Sequence, residues 1–265
     1  MELFVLVKIL MKHLQFRGFW KRSVKSLLVN ALWMQQDLKM QMIKQYADIT
    51  GCSTERDRGL NMDIKQALLF LTENCKPAVA SGVLTADDRV SFRDGDNVWI
   101  TRNGADISSL TESDLITFDV KGKFSYSDRI AEIHCVLYAK HKRLGAIVNS
   151  RTQYSLSVSR TGETVRPYVD DIAQIAGIDI KCIEHADTGR IKSLIKRRSA
   201  LLLKDSGSMC ADISLDDALA TVMITEKACR IHIQSRYLGG AKPINVIESA
   251  LMRFIYLKKY SKIKY

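Results

Sequence analysis

The chain has 265 residues, 46% of them hydrophobic and 26% charged, so it can bury a sizeable core as one large domain or one domain with an extension. This composition excludes an intrinsically disordered chain. The formal net charge of +11 permits contact with nucleic acid or acidic lipid, but the basic residues are scattered, which favours a role of the charge in solubility.

Residues 1–36 alternate apolar side chains with lysine and arginine. No run reaches the roughly 18 apolar residues of a membrane span, and Lys8 and Lys12 interrupt what would be the apolar stretch of a signal peptide. A basic amphipathic helix on a membrane surface, a helical or disordered extension, and a misread upstream start all stay open. Gly51–Asn61 is polar and has the composition of a linker. We predict an N-terminal extension over 1–61 and a domain over 62–265.

Apolar periodicity predicts the elements of the first half of the domain. Pro77 predicts a kink or an early end of the first helix, and Asp94-Gly95-Asp96 predicts a hairpin turn. The predicted elements are a helix over Asp63–Ala80, strands over Val90–Arg93 and Asn97–Thr101, a short helix or turn over Ser109–Leu115, and a strand over Ile116–Val120.

The second half begins with a helix and a buried strand that ends in a polar turn. Ser214 and the acidic first turn after it predict the start of a long helix, and Gly239-Gly240 predicts its end. The predicted elements are helices over Ile130–Lys142, Asp170–Ala176, Gly189–Arg198 and Leu215–Leu238, strands over Ala146–Val148, Ile178–Ile183 and Ala200–Lys204, and a tail or final helix over Arg253–Tyr265.

Strands outnumber any regular alternation of strand and helix, and a hairpin signal comes early. This pattern predicts an α/β fold whose central sheet is mixed and mainly antiparallel, with helices on both faces. The six cysteines have no CxxC or Cys/His spacing typical of zinc sites, and several lie in apolar runs. Small buried thiols and a cytoplasmic location are therefore expected.

Several segments in order resemble the class II aldolase/adducin-head family, the group of L-fuculose-phosphate aldolase and L-ribulose-5-phosphate 4-epimerase. The resemblance covers about Met62 to Lys242 and implies a three-layer α/β/α fold. The segments are Ile100-Thr-Arg-Asn-Gly104, Asp106–Leu115, Gly145-Ala-Ile-Val-Asn-Ser-Arg151, Arg166–Gly177, Leu201–Gly207 and Leu238–Pro243.

The resemblance also locates where the family binds zinc. The family has His-Thr-His where this chain has Asn149, Ser150 and Arg151, and its third histidine corresponds to Ser206. A catalytic zinc needs three protein ligands and an open position, and an arginine is permanently protonated and cannot coordinate a cation. We therefore expect no zinc or other cofactor.

The acid/base glutamate of the family, four residues before a helical histidine, corresponds to Ile130 when counted back from His134. An apolar side chain cannot transfer a proton. Glu132 would substitute only if the register shifted. We predict no catalytic residue.

The family's phosphate contacts are also altered, with Asp88-Arg89 and Asp128-Arg129 in place of Gly-Asn and paired serines. Two interpretations stay open. In the first, four arginines (Arg89, Arg102, Arg129 and Arg151) form a new anion site. In the second, Asp88 and Asp128 neutralise them as salt bridges. Candidate ligand-binding residues are Arg89, Thr101, Gly104, Arg129 and Arg151.

The preferred hypothesis is an aldolase-like domain that has lost its chemistry and serves in assembly or anion binding, with a phosphorylated or carboxylate small molecule as a candidate ligand. The alternative is an active sugar-phosphate aldolase or 4-epimerase with an atypical metal site that would use zinc. The resemblance implies a homo-oligomer, in this family commonly a tetramer. A basic patch with Lys192 and Arg198 lacks interleaved aromatic residues, so no specific nucleic-acid partner is predicted.

Overall fold

The computed structural model describes residues 62–86, 88–122, 128–195 and 198–260. The predicted extension over 1–61, with its possible membrane-surface contact over 1–36, lies outside these residues and stays a prediction. Within the described ranges, no helix combines the length and apolar character needed to cross a bilayer.

The described chain alternates helices with short strands. In chain order the elements are α1 (Ile64–Ala80), β1 (Arg89–Asp94), β2 (Asn97–Thr101), a 3-10 turn (Glu112–Asp114), β3 (Leu115–Asp119), α2 (Arg129–Lys140), β4 (Ala146–Ser150), α3 (Gln153–Thr161), α4 (Asp170–Ile175), β5 (Cys182–Ile183), α5 (Thr188–Ile195), β6 (Ala200–Leu203), β7 (Gly207–Asp212), α6 (Leu215–Tyr237) and α7 (Val246–Tyr260).

The strands form one seven-stranded sheet in the order β3-β2-β1-β4-β7-β6-β5. Every neighbouring pair is antiparallel except β5 and β6, which are parallel. The predicted mixed, mainly antiparallel sheet is confirmed. Strand β4 lies at its centre and all five of its residues are buried, as expected for a short apolar run between two polar turns.

Helices cover both faces of the sheet, as predicted. Successive strand residues point to opposite faces, and accordingly Val148 belongs to the hydrophobic cluster on one face while Ile147 belongs to the cluster on the other. The first cluster includes residues of α1, α3 and α6, and the second includes residues of α2 and α5. The three-layer arrangement follows from this alternation.

Three local predictions differ from the structure. Pro77 does not end α1, because it removes one hydrogen bond near the end of a 17-residue helix whose last turns still bury Cys75 and Ala78. The strand predicted over Ile178–Ile183 shrinks to two residues plus an isolated bridge at Ile180. The sequence pattern also missed α3 and β7, whose many serine, threonine and glycine residues resemble a loop.

Candidate functional site

The end of β4 meets the turn between β6 and β7 at one edge of the sheet. A Cβ atom on Gly207, whose φ is +85°, would lie 2.2 Å from the carbonyl oxygen of Ser150 and 3.1 Å from Cα of Arg151. Only glycine permits so close an approach of two backbones. Ser206 therefore belongs to a turn that touches the segment carrying Asn149 and Arg151.

Asn149 is buried at this edge and its side chain is fully engaged. Its Oδ1 lies 2.6 Å from Nε2 of His134 on α2, and its Nδ2 lies 3.5 Å from the carbonyl oxygen of Ser208. An amide oxygen that already accepts a short hydrogen bond is a poor candidate for metal coordination.

His134 is completely buried and links Asn149 to β1. Because Asn149 Oδ1 can only accept, Nε2 of His134 carries the proton, and Nδ1 accepts from the hydroxyl of Ser91 at 2.8 Å. Burial lowers the pKa of His134 to about 4, so the imidazole is neutral near pH 7. This matches the sequence-based interpretation of the histidines as surface or satisfied core residues.

Arg89 and Asp128 form an ion pair beside this network, with side-chain exposures of 4% and 24%. Nε of Arg89 also donates to the carbonyl oxygen of Thr101 at 2.7 Å, while the Thr101 hydroxyl accepts from the backbone N–H of Val90 at 3.1 Å. Burial by itself would raise the pKa of Asp128, but the Arg89 guanidinium and two backbone N–H groups lower it overall. The prediction that Asp128 neutralises an arginine is confirmed.

Asp88 behaves differently from that prediction. Its Oδ1 accepts from the backbone N–H of Arg151 at 2.6 Å, and its Oδ2 accepts from the N–H of Thr85 at 2.8 Å and from Oγ of Ser150 at 3.3 Å. Burial raises its pKa even though these hydrogen bonds oppose the change. Asp88 thus ties the end of β4 to the preceding loop and neutralises no arginine side chain.

The side chain of Arg129 turns away from this edge. It donates to Glu132 at 2.6 Å, to the carbonyl oxygen of His185 at 2.7 Å and to Oγ1 of Thr188 at 2.7 Å. These contacts connect the start of α2 to the start of α5 and commit Glu132 to an ion pair.

The loop after β2 holds the next two predicted residues. Nε of Arg102 donates to the carbonyl oxygen of Ser113 at 2.7 Å, and Gly104 occupies a turn with φ of +76°. The four arginines therefore have separate surroundings and do not form one cluster.

Arg151 alone among them faces an open cleft. The cleft has a volume of about 490 Å³, and the Arg151 side chain is exposed. On its far wall, Glu226 of α6 accepts from the hydroxyl of Thr152 at 2.6 Å and from the first N–H groups of α3. The lining residues are Ser81, Gly82, Val83, Thr85, Arg151, Thr152, Gln153 and Glu226.

The model of the Class II Aldolase and Adducin N-terminal domain family matches residues 81–233, more than half of the chain. The chain belongs to this family. Among curated relatives, an L-fuculose phosphate aldolase of Methanocaldococcus jannaschii is 24% identical over 158 residues, which cover 56% of this chain and 85% of that protein. That of Escherichia coli K12 is 23% identical over 164 residues, which cover 58% and 76%.

Solved structures of this family share the fold. An L-fuculose 1-phosphate aldolase superposes with a TM-score of 0.63 at 20% identity, covering 79% of this chain and all of that chain. The enzyme from Glaciozyma antarctica PI12 gives a TM-score of 0.59 at 18% identity, covering 79% and 88%.

The residues at the three positions matched to the family's zinc ligands do not fit zinc. They offer an engaged amide, a permanent cation and a hydroxyl, namely Asn149, Arg151 and Ser206. Across the ranges that the structure describes, no three histidine, cysteine or acidic side chains come together as a metal site would need.

Proposed function

We propose that this chain keeps the class II aldolase fold without zinc-dependent aldolase or epimerase chemistry and works as an assembly or anion-binding module. It would act as a homo-oligomer in the cytoplasm. The described cysteines, Cys75, Cys135, Cys182, Cys210 and Cys229, are free thiols, which supports a reducing compartment.

The engagement of Asn149 carries this proposal. A zinc ligand must offer a lone pair toward the metal, whereas Oδ1 of Asn149 is taken by His134 at 2.6 Å. Two residues along the chain, the guanidinium of Arg151 would repel a divalent cation. The Arg89–Asp128 ion pair stands where the family contacts phosphate by resemblance, and it supports the loss of the phosphate subsite as well.

Metal content and turnover of the purified full chain test the proposal. We expect substoichiometric zinc after expression in zinc-supplemented medium, and no cleavage of L-fuculose 1-phosphate with or without added zinc. Stoichiometric zinc, or cleavage that a chelator abolishes, would overturn it and favour an active sugar-phosphate aldolase or 4-epimerase, the activity class that the relatives' names suggest.

The cleft beside Arg151 supports the anion-binding form of the module. An exposed guanidinium beside the hydroxyls of Ser81 and Thr85 suits a carboxylate or phosphate. Thermal shift against sugar phosphates and dicarboxylates measures such binding. We expect stabilisation by one ligand class that Arg151→Ala removes. No shift at millimolar ligand, or a shift that persists in the variant, would leave only the assembly role.

A further inference from the structure

The C-terminal helix α7 has two distinct faces. One face packs on the domain: Ser249 is completely buried, and Arg253 donates to the carbonyl oxygen of Gln174 at 2.7 Å and to Oγ of Ser199 at 2.9 Å. Arg253 therefore anchors α7 at the C-terminal end of α4, and the rotation of α7 about its own axis is set by these contacts.

The opposite face of α7 is apolar and open to solvent. Ile247 is 70% exposed, Phe254 44% and Leu257 46%, and Ala250 between them is exposed as well. The intervals are three, four and three residues, the spacing of the a and d positions of a coiled coil. We call these four residues the α7 stripe. Isolated surface leucines need no explanation, but a continuous stripe at this spacing is typical of a helix-packing surface.

We propose that the α7 stripe packs against the same stripe of a second copy of this chain, in antiparallel orientation about a two-fold axis. Antiparallel pairing places Ile247 opposite Leu257 of the other copy, and Ala250 opposite its Phe254. The small side chain then meets the large one in both symmetric layers, whereas parallel pairing would oppose Phe254 to Phe254 and Ala250 to Ala250. Two-fold contacts of this kind use one self-complementary surface on both copies.

Charge supports the same partner and orientation. Glu248 and Lys258 lie on the same side of the stripe near its opposite ends, so antiparallel pairing brings each Glu248 toward Lys258 of the other copy. Lys258 already covers the stripe, with its Nζ 4.7 Å from the ring centre of Phe254. The basic segment 1–36 fits less well as an occupant, because α7 itself carries Arg253, Lys258 and Lys259 against one acid.

Sedimentation equilibrium of the full chain tests this contact. The wild type is expected at a mass of at least twice its 30.0 kDa. Ile247→Glu and Leu257→Lys each bury an unpaired charge against an apolar side chain, so each should weaken self-association by about tenfold or more. The double variant places glutamate opposite lysine at both ends of an antiparallel pair and should recover most of the wild-type affinity.

The matched control is Leu69→Glu, which changes a 63% exposed leucine on α1 and should keep the wild-type mass. Circular dichroism melting verifies that every variant is folded. A monomeric wild type, with the stripe covered by its own residues 1–61 or by nothing, overturns the proposal. Single variants that keep the wild-type mass also overturn it, as does a double variant in which the two losses add. None of these outcomes depends on the zinc assay above.

Discussion

Nε2 of His134 lies 2.6 Å from Oδ1 of Asn149, at the point where helix α2 crosses behind the end of β4. The contact joins a fully buried imidazole to the strand position that corresponds, by resemblance, to a zinc ligand of the family. The polar end of β4 is thereby coupled to the domain core, and its disturbance should be visible in stability as well as in binding.

Acid should destabilise the protein through His134. Its folded pKa of about 4 lies below the ordinary 6.5, so between these values the unfolded chain binds a proton that the folded chain does not. The free energy of unfolding should therefore fall as the pH is lowered from 6.5 to 4, by up to about 3 kcal/mol for this group, and this contribution is constant above 6.5. Urea unfolding of the wild type and His134→Gln across this range measures the difference, and equal slopes would contradict the assignment.

Loss of charge at Asp128 should cost far more than loss of an exposed partner. Asp128→Asn keeps an acceptor for the N-terminus of α2 but leaves the buried Arg89 charge unpaired, at an expected cost of about 3–5 kcal/mol. Adding Arg89→Met should restore part of that stability. Lys121→Met, which breaks the exposed pair with Asp96, is the control and should leave the unfolding midpoint unchanged. Additive losses at Asp128 and Arg89 would argue against a coupled pair.

Replacing Gly207 should disrupt the edge where the candidate site forms. In Gly207→Ala the new Cβ would meet the Ser150 carbonyl oxygen at 2.2 Å in a left-handed backbone conformation. The strain and the clash together should cost about 3 kcal/mol or more. Gly104→Ala shares the positive φ but meets no atom within 4 Å, and should cost only about 1 kcal/mol. Similar urea midpoints for the two variants would show that the β6–β7 turn can move aside.

Restoring three imidazoles should restore zinc binding. Asn149→His, Arg151→His and Ser206→His together replace the engaged amide, the cation and the hydroxyl with nitrogen ligands. We expect stoichiometric zinc after dialysis and a melting temperature that falls when a chelator removes the metal. The matched control retains Arg151 with the other two changes and should not hold zinc. If the triple variant is folded but metal-free, the three positions do not converge in the manner of the family.

The sequence was most informative where local chemistry repeats a common pattern. Ser214 caps α6 through the N–H of Asp217, as its spacing before an acidic turn predicts. The apolar run before Asn149 is the central strand of the sheet. The pattern failed at β7, because the Gly-Ser start of that strand has low strand propensity and its burial between β4 and β6 overrides that weakness.

The sequence by itself determined the family, the mixed sheet and the loss of imidazoles from three positions, because these depend on residue identity and spacing. It left open which acid neutralises which arginine. Only the tertiary structure decided that Asp128 pairs with Arg89 across 39 positions while Asp88 binds backbone N–H groups instead. Partners so far apart in the chain are chosen by strand register and helix packing, and local periodicity carries no record of either.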